Sequence, residues 1–286
     1  MSDLRSSSQA SEGATHGILR LDGPPSRRSS IGPESATDAN RPQVEVRDVT
    51  LAYGPEVIQS GIAFSVRKGE IFVIMGDSGC GKSTLMRHMI GLQRPARGEV
   101  LYNGRSFWSA QEDERDRLML KFGVLYQDAA LFSGMTLEEN VGLPLEEHAR
   151  LKPSEARDVA RLKLALVGLG GFEEFYPSEV SGGMRKRAGL ARAMALDPEI
   201  LFFDEPSAGL DPLSARLLDD LILELRASAG TTIVLVTHEL SSIFELGDNA
   251  VFLDAERRTM IAQGKPAELR ESGEPKVKAF LSRGRV

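Results

Sequence analysis

The stretch GDSGCGKST, Gly76 to Thr84, holds the residue types that bind phosphate. Gly76, Gly79 and Gly81 let the backbone turn its N–H groups inward on an anion, with Asp77, Ser78 and Cys80 between them. Lys82 can reach the β- and γ-phosphate oxygens, the Ser83 hydroxyl can ligate Mg²⁺, and Thr84 continues a helix whose N-terminus faces the anion. The apolar run IFVIM leads into the loop and a helical pattern leaves it, the context a P-loop requires. Asp77 is the odd member, a negative charge in a loop built for anions. Cys80, close to Lys82 and to a helix N-terminus, is expected to have a lowered thiol pKa and raised reactivity.

A second set of groups belongs to hydrolysis. In ILFFDEP an apolar strand delivers Asp204, which can hold a metal through water, and Glu205, which can orient and deprotonate an attacking water. His238 follows the strand TIVLVT, where a γ-phosphate sensor is needed, and Gln127 ends FGVLYQ, placed to touch Mg²⁺ or the water. Tyr53 can stack on adenine. Ser181, Gly182 and Gly183 open another helix, SGGMRKRAGLARAMA, whose first N–H groups are free for a second anion. Most of the charge on Arg185, Lys186, Arg187 and Arg192 reads as a solvated helix face.

These groups need strands to carry them. VEVRDVTLAY and IAFSVRKGEIFVIMG alternate like antiparallel strands, and helical patterns at Lys82–Leu92, Thr136–Pro144, Ser154–Val167, Gly182–Leu196 and Pro212–Ala229 alternate with short apolar strands. The expectation is an α/β fold with a parallel core, its ligands at the carboxyl ends of the strands. A mostly helical stretch from about Met135 to Leu196 is expected as an inserted subdomain. Residues 1–41, rich in Ser, Gly, Pro and Arg, have no apolar periodicity and no signal-peptide core, and their five acids speak against a transit peptide; they are expected to be a disordered tail. A net charge of −6 argues against a protein that holds nucleic acid by its overall field. No apolar run has the length of a membrane span, so a partner is expected to do any spanning. The single cysteine rules out an intrachain disulfide and fits a reducing compartment.

Taken in order, these motifs resemble those of the ATP-binding cassette (ABC) ATPases. In that likeness Tyr53 stands as the A-loop, Gly76–Thr84 as Walker A, Gln127 as the Q-loop and SGGM as the signature, with Asp204–Glu205 ending Walker B, SAGLD at Ser207–Asp211 as the D-loop and His238 as the switch. It implies a P-loop NTPase core of mixed, largely parallel sheet over residues 42–270, with N-terminal antiparallel strands and the helical subdomain at about 135–196. It implies ATP and Mg²⁺ as cofactors, and a homodimer in which the signature of one subunit closes over the ATP held by the other. YQDAALFSGMTLEENVGLPLEEH, Met184 in the signature and the ending EPKVKAFLSRG resemble the MlaF-like ATPases of Mce-type lipid transport systems. Gly is commoner where Ala129 stands, a departure read as having no obvious chemical consequence. That likeness implies phospholipid transport, a transmembrane permease subunit, Mce-domain and STAS-domain partners, and a place on the cytoplasmic face of the inner membrane. Residues 271–286 then become a tail whose apolar face, Val277, Phe280 and Leu281, is favoured to dock on a neighbouring subunit. A small-solute importer ATPase, as for polar amino acids, is the alternative; soluble ABC ATPases and small-molecule P-loop kinases fit less well.

Overall fold

The computed structural model describes residues 42–283. The tail expected over residues 1–41 lies outside the described residues, as do residues 284–286.

In chain order the elements are β1 (Val44–Tyr53), β2 (Glu56–Val66), β3 (Ile71–Gly76), α1 (Lys82–Met89), β4 (Arg97–Tyr102), β5 (Arg105–Ser106), α2 (Glu112–Met119) and β6 (Phe122–Leu125). Helices α3 (Leu137–His148), α4 (Pro153–Leu166) and α5 (Gly182–Ala193) follow, then β7 (Ile200–Asp204), α6 (Pro212–Ala229), β8 (Thr232–Val236) and α7 (Leu240–Leu246). The described chain ends with β9 (Asn249–Asp254), β10 (Thr259–Gly264), α8 (Pro266–Ser272) and α9 (Pro275–Leu281).

The strands form two sheets. One is antiparallel, in the order β2-β1-β4-β5; the other runs β10-β9-β3-β8-β7-β6 and is parallel except where β10 meets β9. IAFSVRKGEIFVIMG is therefore not one antiparallel run. A turn at Arg67–Glu70, closed by the Arg67 N–H donating to the Glu70 carboxylate, sends its first half to the antiparallel sheet and its second to the parallel one.

Side-chain alternation explains why the parallel strands read as unbroken apolar runs. In β3, Ile71, Val73 and Met75 point to a core shared with the helices, while Phe72 and Ile74 point to a core between the two sheets. β7 and β8 divide in the same way: Leu201, Phe203, Ile233 and Leu235 on one side, Ile200, Phe202, Val234 and Val236 on the other. Strands buried on both faces carry no period-2 polarity signal. Their register is tight, Phe203 opposite Leu235 and Val73 opposite Leu235 across the two ladders, so the three carboxyl ends lie side by side.

Helices α3, α4 and α5 stand between β6 and β7. α3 starts at a capping box in which Glu139 N–H donates to Thr136 Oγ1 and the Glu139 carboxylate accepts from Thr136 N–H. It runs on to His148 through Pro144, where the sequence pattern suggested an end; the proline removes a single backbone donor.

Behind the sheet, α6 and α7 are joined by a buried acid. Asp219 accepts from Ser242 Oγ at 2.7 Å, and its other oxygen has no partner. Burial, reinforced by Glu245, Asp220 and Glu239, pushes this carboxyl from 3.8 up to about 6. Because the folded pKa is raised above the unfolded one, its contribution to stability is present below about pH 4 and is lost as the pH rises through about 6. Asp219→Asn is therefore expected to unfold in more urea than the wild type at pH 7.5, with the difference shrinking toward pH 4. A variant that loses stability mainly at the higher pH contradicts this account.

Candidate active site

The loop after β3 closes around its own backbone. A Cβ on Gly76, where φ is 150°, would lie 2.4 Å from the Leu253 carbonyl oxygen and 2.8 Å from Cys80 Sγ, so only glycine fits. Gly81, at φ 99°, opens α1 without a side-chain cap, which leaves the first-turn N–H groups of Lys82, Ser83 and Thr84 for a ligand. Lys82 is buried and donates to the carbonyls of Gly76 (3.0 Å) and Asp77 (3.1 Å), holding its ammonium inside the turn.

A cavity of about 1020 Å³ opens over this loop. Gly76, Asp77, Ser78, Gly79, Gly81 and Lys82 line it, as do Ser83 and Thr84; facing them are Tyr53, Gln127, Glu205 and His238. The carboxyl ends of β3, β6, β7 and β8 thus meet in one space. Ser83 Oγ donates to Asp204 Oδ1 at 2.8 Å, joining α1 to β7. Burial pushes the Asp204 carboxyl up, with the Ser83 hydrogen bond opposing it. Ser83, Asp204 and Gln127 are oxygen donors, the set a Mg²⁺–nucleotide requires when most of the coordination comes from phosphate and water. The residues present therefore fit that group.

Glu205 is the strained member. Its φ is 49°, a left-handed conformation that costs of order 1–3 kcal/mol for a residue with a side chain and persists only where the surroundings hold it. They do: its N–H donates to the Val236 carbonyl at 2.8 Å, and its carbonyl accepts from Ala208 N–H at 3.2 Å and from Lys186 Nζ at 3.3 Å. His238 Nδ1 stands 2.8 Å from Glu205 Oε2, a close approach without hydrogen-bond alignment, so that buried oxygen has no donor of its own. His238 Nε2 is 3.5 Å from Glu239. The histidine is half exposed at the cavity's edge while the carboxylate is nearly buried.

Several expectations change. Cys80 is 1% exposed and its side chain sits in the core between the sheets, outside the cavity lining; burial pushes its thiol pKa up, against the lowering by Lys82. Asp77 is not a bare negative charge, because Arg283 Nη1 lies 3.4 Å and Lys276 Nζ 3.9 Å from its oxygens. The apolar face of α9 is not free for a neighbour: Val277, Phe280 and Leu281 are buried on their own domain, with Phe280 edge-on to Phe252 at 5.2 Å. The basic residues of α5 are not simply solvated, since Arg185 donates to Val180, Arg187 to Val167 and Gly168, Arg192 to Ala129 and Ala130, and Lys186 to Glu205, all at carbonyls. Ala129 has a physical consequence after all, for its φ is 59°, where glycine would be relaxed.

Ser181, Gly182 and Gly183 do not line the nucleotide-sized cavity. Ser181 Oγ accepts from Met184 N–H at 3.2 Å and caps α5. Ile58, Glu239 and Arg283 line the cavity without having been singled out in the sequence, and Phe280, read there only as part of an apolar docking face, lines it as well. They arrive through long-range packing and carry no motif, although an arginine after the apolar face of α9 was visible.

A family profile described as "ABC transporter" matches residues 59–208. The probable ribonucleotide transport ATP-binding protein mkl of Mycobacterium tuberculosis is 42% identical over 243 residues, covering 85% of this chain and 67% of that protein. The intermembrane phospholipid transport system ATP-binding protein MlaF of Escherichia coli K12 is 37% identical over 238 residues, covering 83% and 88%. Among solved structures, the ATP-binding cassette MJ0796 in a dimeric post-hydrolysis state bound to ADP and Pi superposes with a TM-score of 0.71 at 30% identity, covering 78% of this chain and 98% of that one. The cbiO1 subunit from Clostridium perfringens gives 0.73 at 26% identity, covering 86% and 97%.

With its thiol buried in the sheet core, Cys80 in the folded chain is expected to react with a small maleimide at least about tenfold more slowly than in urea, since the thiolate is the nucleophile. Mg-ATP is expected to change that rate little. Rapid native labelling that nucleotide blocks would put the thiol back in the cradle.

Proposed function

The chain belongs to the ABC transporter family and is an ATPase, and on that premise we propose that it energises a membrane transporter for phospholipid, working as a homodimer on the cytoplasmic face of the inner membrane. The observation that carries the cargo is the likeness to MlaF over most of both chains, 83% and 88%. The higher identity to mkl, named for ribonucleotide transport, supports a second reading in which the cargo is a small polar solute.

The cassette occupies residues 42–270, with its helical subdomain at about 135–196. Tyr53 stacks on the adenine, and Lys82 exchanges the Gly76 and Asp77 carbonyls for phosphate oxygens, helped by the N–H groups of the loop. Ser83 and Gln127, with Asp204 through water, would hold Mg²⁺, which would supply charge neutralisation at the phosphate oxygens. Glu205 orients the attacking water and takes its proton, and His238 steers the Glu205 carboxylate from 2.8 Å while facing the γ-phosphate position. The loop surrounds one side of the cavity only. Ser181, Gly182 and Gly183 of a second copy supply hydrogen-bond donors for the other, which is why they stand outside their own chain's cavity.

A separate groove of about 490 Å³, lined by Met119, Leu120, Pro144 and His148 among others, lies between α2, β6 and α3, close to Glu146 and Glu147. It is apolar with a charged edge and begins at the strand that carries Gln127, so it suits a cytoplasmic helix of a permease. Among the described residues no helix is long and apolar enough to cross a membrane, in keeping with attachment through that subunit. Mce-domain and STAS-domain proteins complete the proposed assembly.

Glu205→Gln is expected to bind ATP and dimerise but turn over about 100-fold more slowly or worse, the range for losing a general base. Lys82→Ala is expected to lose nucleotide affinity as well. The permease complex, purified from detergent-solubilised membranes, is expected to carry phospholipid and to show ATPase stimulated by it. Stimulation by ribonucleotides and not by lipid would favour the second reading.

A further inference from the structure

Lys186 lies on α5, five residues after Ser181. It is 7% exposed, and its ammonium donates to the carbonyl of Glu205, not to a carboxylate. A buried cation resting on a neutral acceptor is a poor way to gain stability, because desolvation is met by a weak partner. The nearby negative charges are Asp128, Asp204 and Glu205, from the strand ends of the active site. A cavity of about 400 Å³, lined by Gln127, Gly182, Lys186 and Gly209 among others, leaves α5 room to shift against the strand ends. The residue whose carbonyl Lys186 holds is the one with the left-handed backbone.

We propose that Lys186 is a positioning residue for Glu205, and that it ties the carboxylate of one composite site to the signature helix serving the other. α5 presents Ser181 to the nucleotide of a second copy. The same rigid helix grips the Glu205 backbone of its own chain five residues later. Docking of Ser181 therefore moves Lys186, and Lys186 sets the direction of the Glu205 side chain at a residue whose φ has little freedom. Hydrolysis in each site then depends on engagement of the other without any contact between the two nucleotides. The inference rests on Glu205 being the base.

The test is a comparison of the full-length Lys186→Met, Lys186→Gln, Lys186→Arg, Glu205→Gln and Lys186→Met/Glu205→Gln proteins, each checked by thermal melt and by nucleotide binding. Lys186→Met is expected to lower kcat about tenfold or more, the scale for a displaced catalytic group, while KM for ATP stays within about twofold. Its dependence of rate on ATP is expected to lose sigmoidal character. Lys186→Arg, which keeps the charged donor, is expected to restore most of the rate, and Lys186→Gln, a neutral donor, part of it. Adding Lys186→Met to Glu205→Gln is expected to cost nothing further, since the group it positions is already gone. Wild-type kcat in Lys186→Met, an equal loss with or without the Glu205 carboxylate, or a kcat loss matched by lost ATP binding would each overturn the proposal. If Lys186→Met fails to fold, Lys186→Gln carries the same comparison. Near-normal turnover in Glu205→Gln alone removes the base reading, and this inference with it; an inactive Glu205→Gln beside a fully active Lys186→Met removes this inference only.

Discussion

Parallel pairing of β3, β8 and β7 is the constraint on which the site depends. Because β8 pairs with both neighbours in register, the phosphate loop, the Asp204–Glu205 pair and His238 leave the sheet at one level. None of these groups is close to another in sequence. A slip by one residue would send Phe72 and Ile74 into the helix-side core and Ile71, Val73 and Met75 into the other, so the fit of these side chains in two differently shaped cores holds the register. The 2.8 Å hydrogen bond from Ser83 to Asp204 then fixes α1 against the sheet and closes the arrangement.

Strain and burial are concentrated at this level. Glu205 has a left-handed backbone, Lys82 and Lys186 are buried on carbonyls, and Asp204 carries a raised pKa. Each would be unfavourable elsewhere. Their shared feature is a neutral or incomplete partner: Lys82 has carbonyls where phosphate would serve it better, and Glu205 Oε2 has no aligned donor. A site so arranged is preorganised for a highly charged ligand, and its electrostatic gain comes when the ligand arrives. α9 adds the far wall, with Arg283 and Lys276 set against Asp77.

The P-loop was legible because its chemistry depends on local spacing: glycines, a lysine and a hydroxyl in nine residues between an apolar run and a helix. The α/β class was legible for the same reason, from alternating apolar strands and helical periods. What the sequence could not convey was direction. Lys186, Arg187 and Arg192 look like surface charge in any helical projection, and only the packing of α5 shows their donors turned to carbonyls of other elements. Cys80 follows the same rule, for proximity to Lys82 along the chain suggested a lowered pKa, while the fold turns the thiol away into the sheet core. The helices α2 and α8 went unread because they are short or polar, whereas β9, six residues long and mostly buried, carries the same kind of apolar signal as β7 and β8 and was missed. The φ values of Glu205 and Ala129 leave no trace in residue type.

The central claim is that the cavity above the P-loop is half of a site completed by Ser181 of a second copy. The most direct measurement mixes Ser181→Arg, whose signature is blocked, with Lys82→Ala, whose cradle is damaged, using differently tagged chains and a cross-linker. Each protein alone has two faulty composite sites, whereas the mixed dimer has one intact site and one doubly faulty one. The expected result is ATP-dependent cross-linking between the two tags that neither protein shows with itself. Equal cross-linking in all three samples, or full ATPase from monomeric Ser181→Arg, would contradict the shared site and leave Ser181 as the cap of α5 alone.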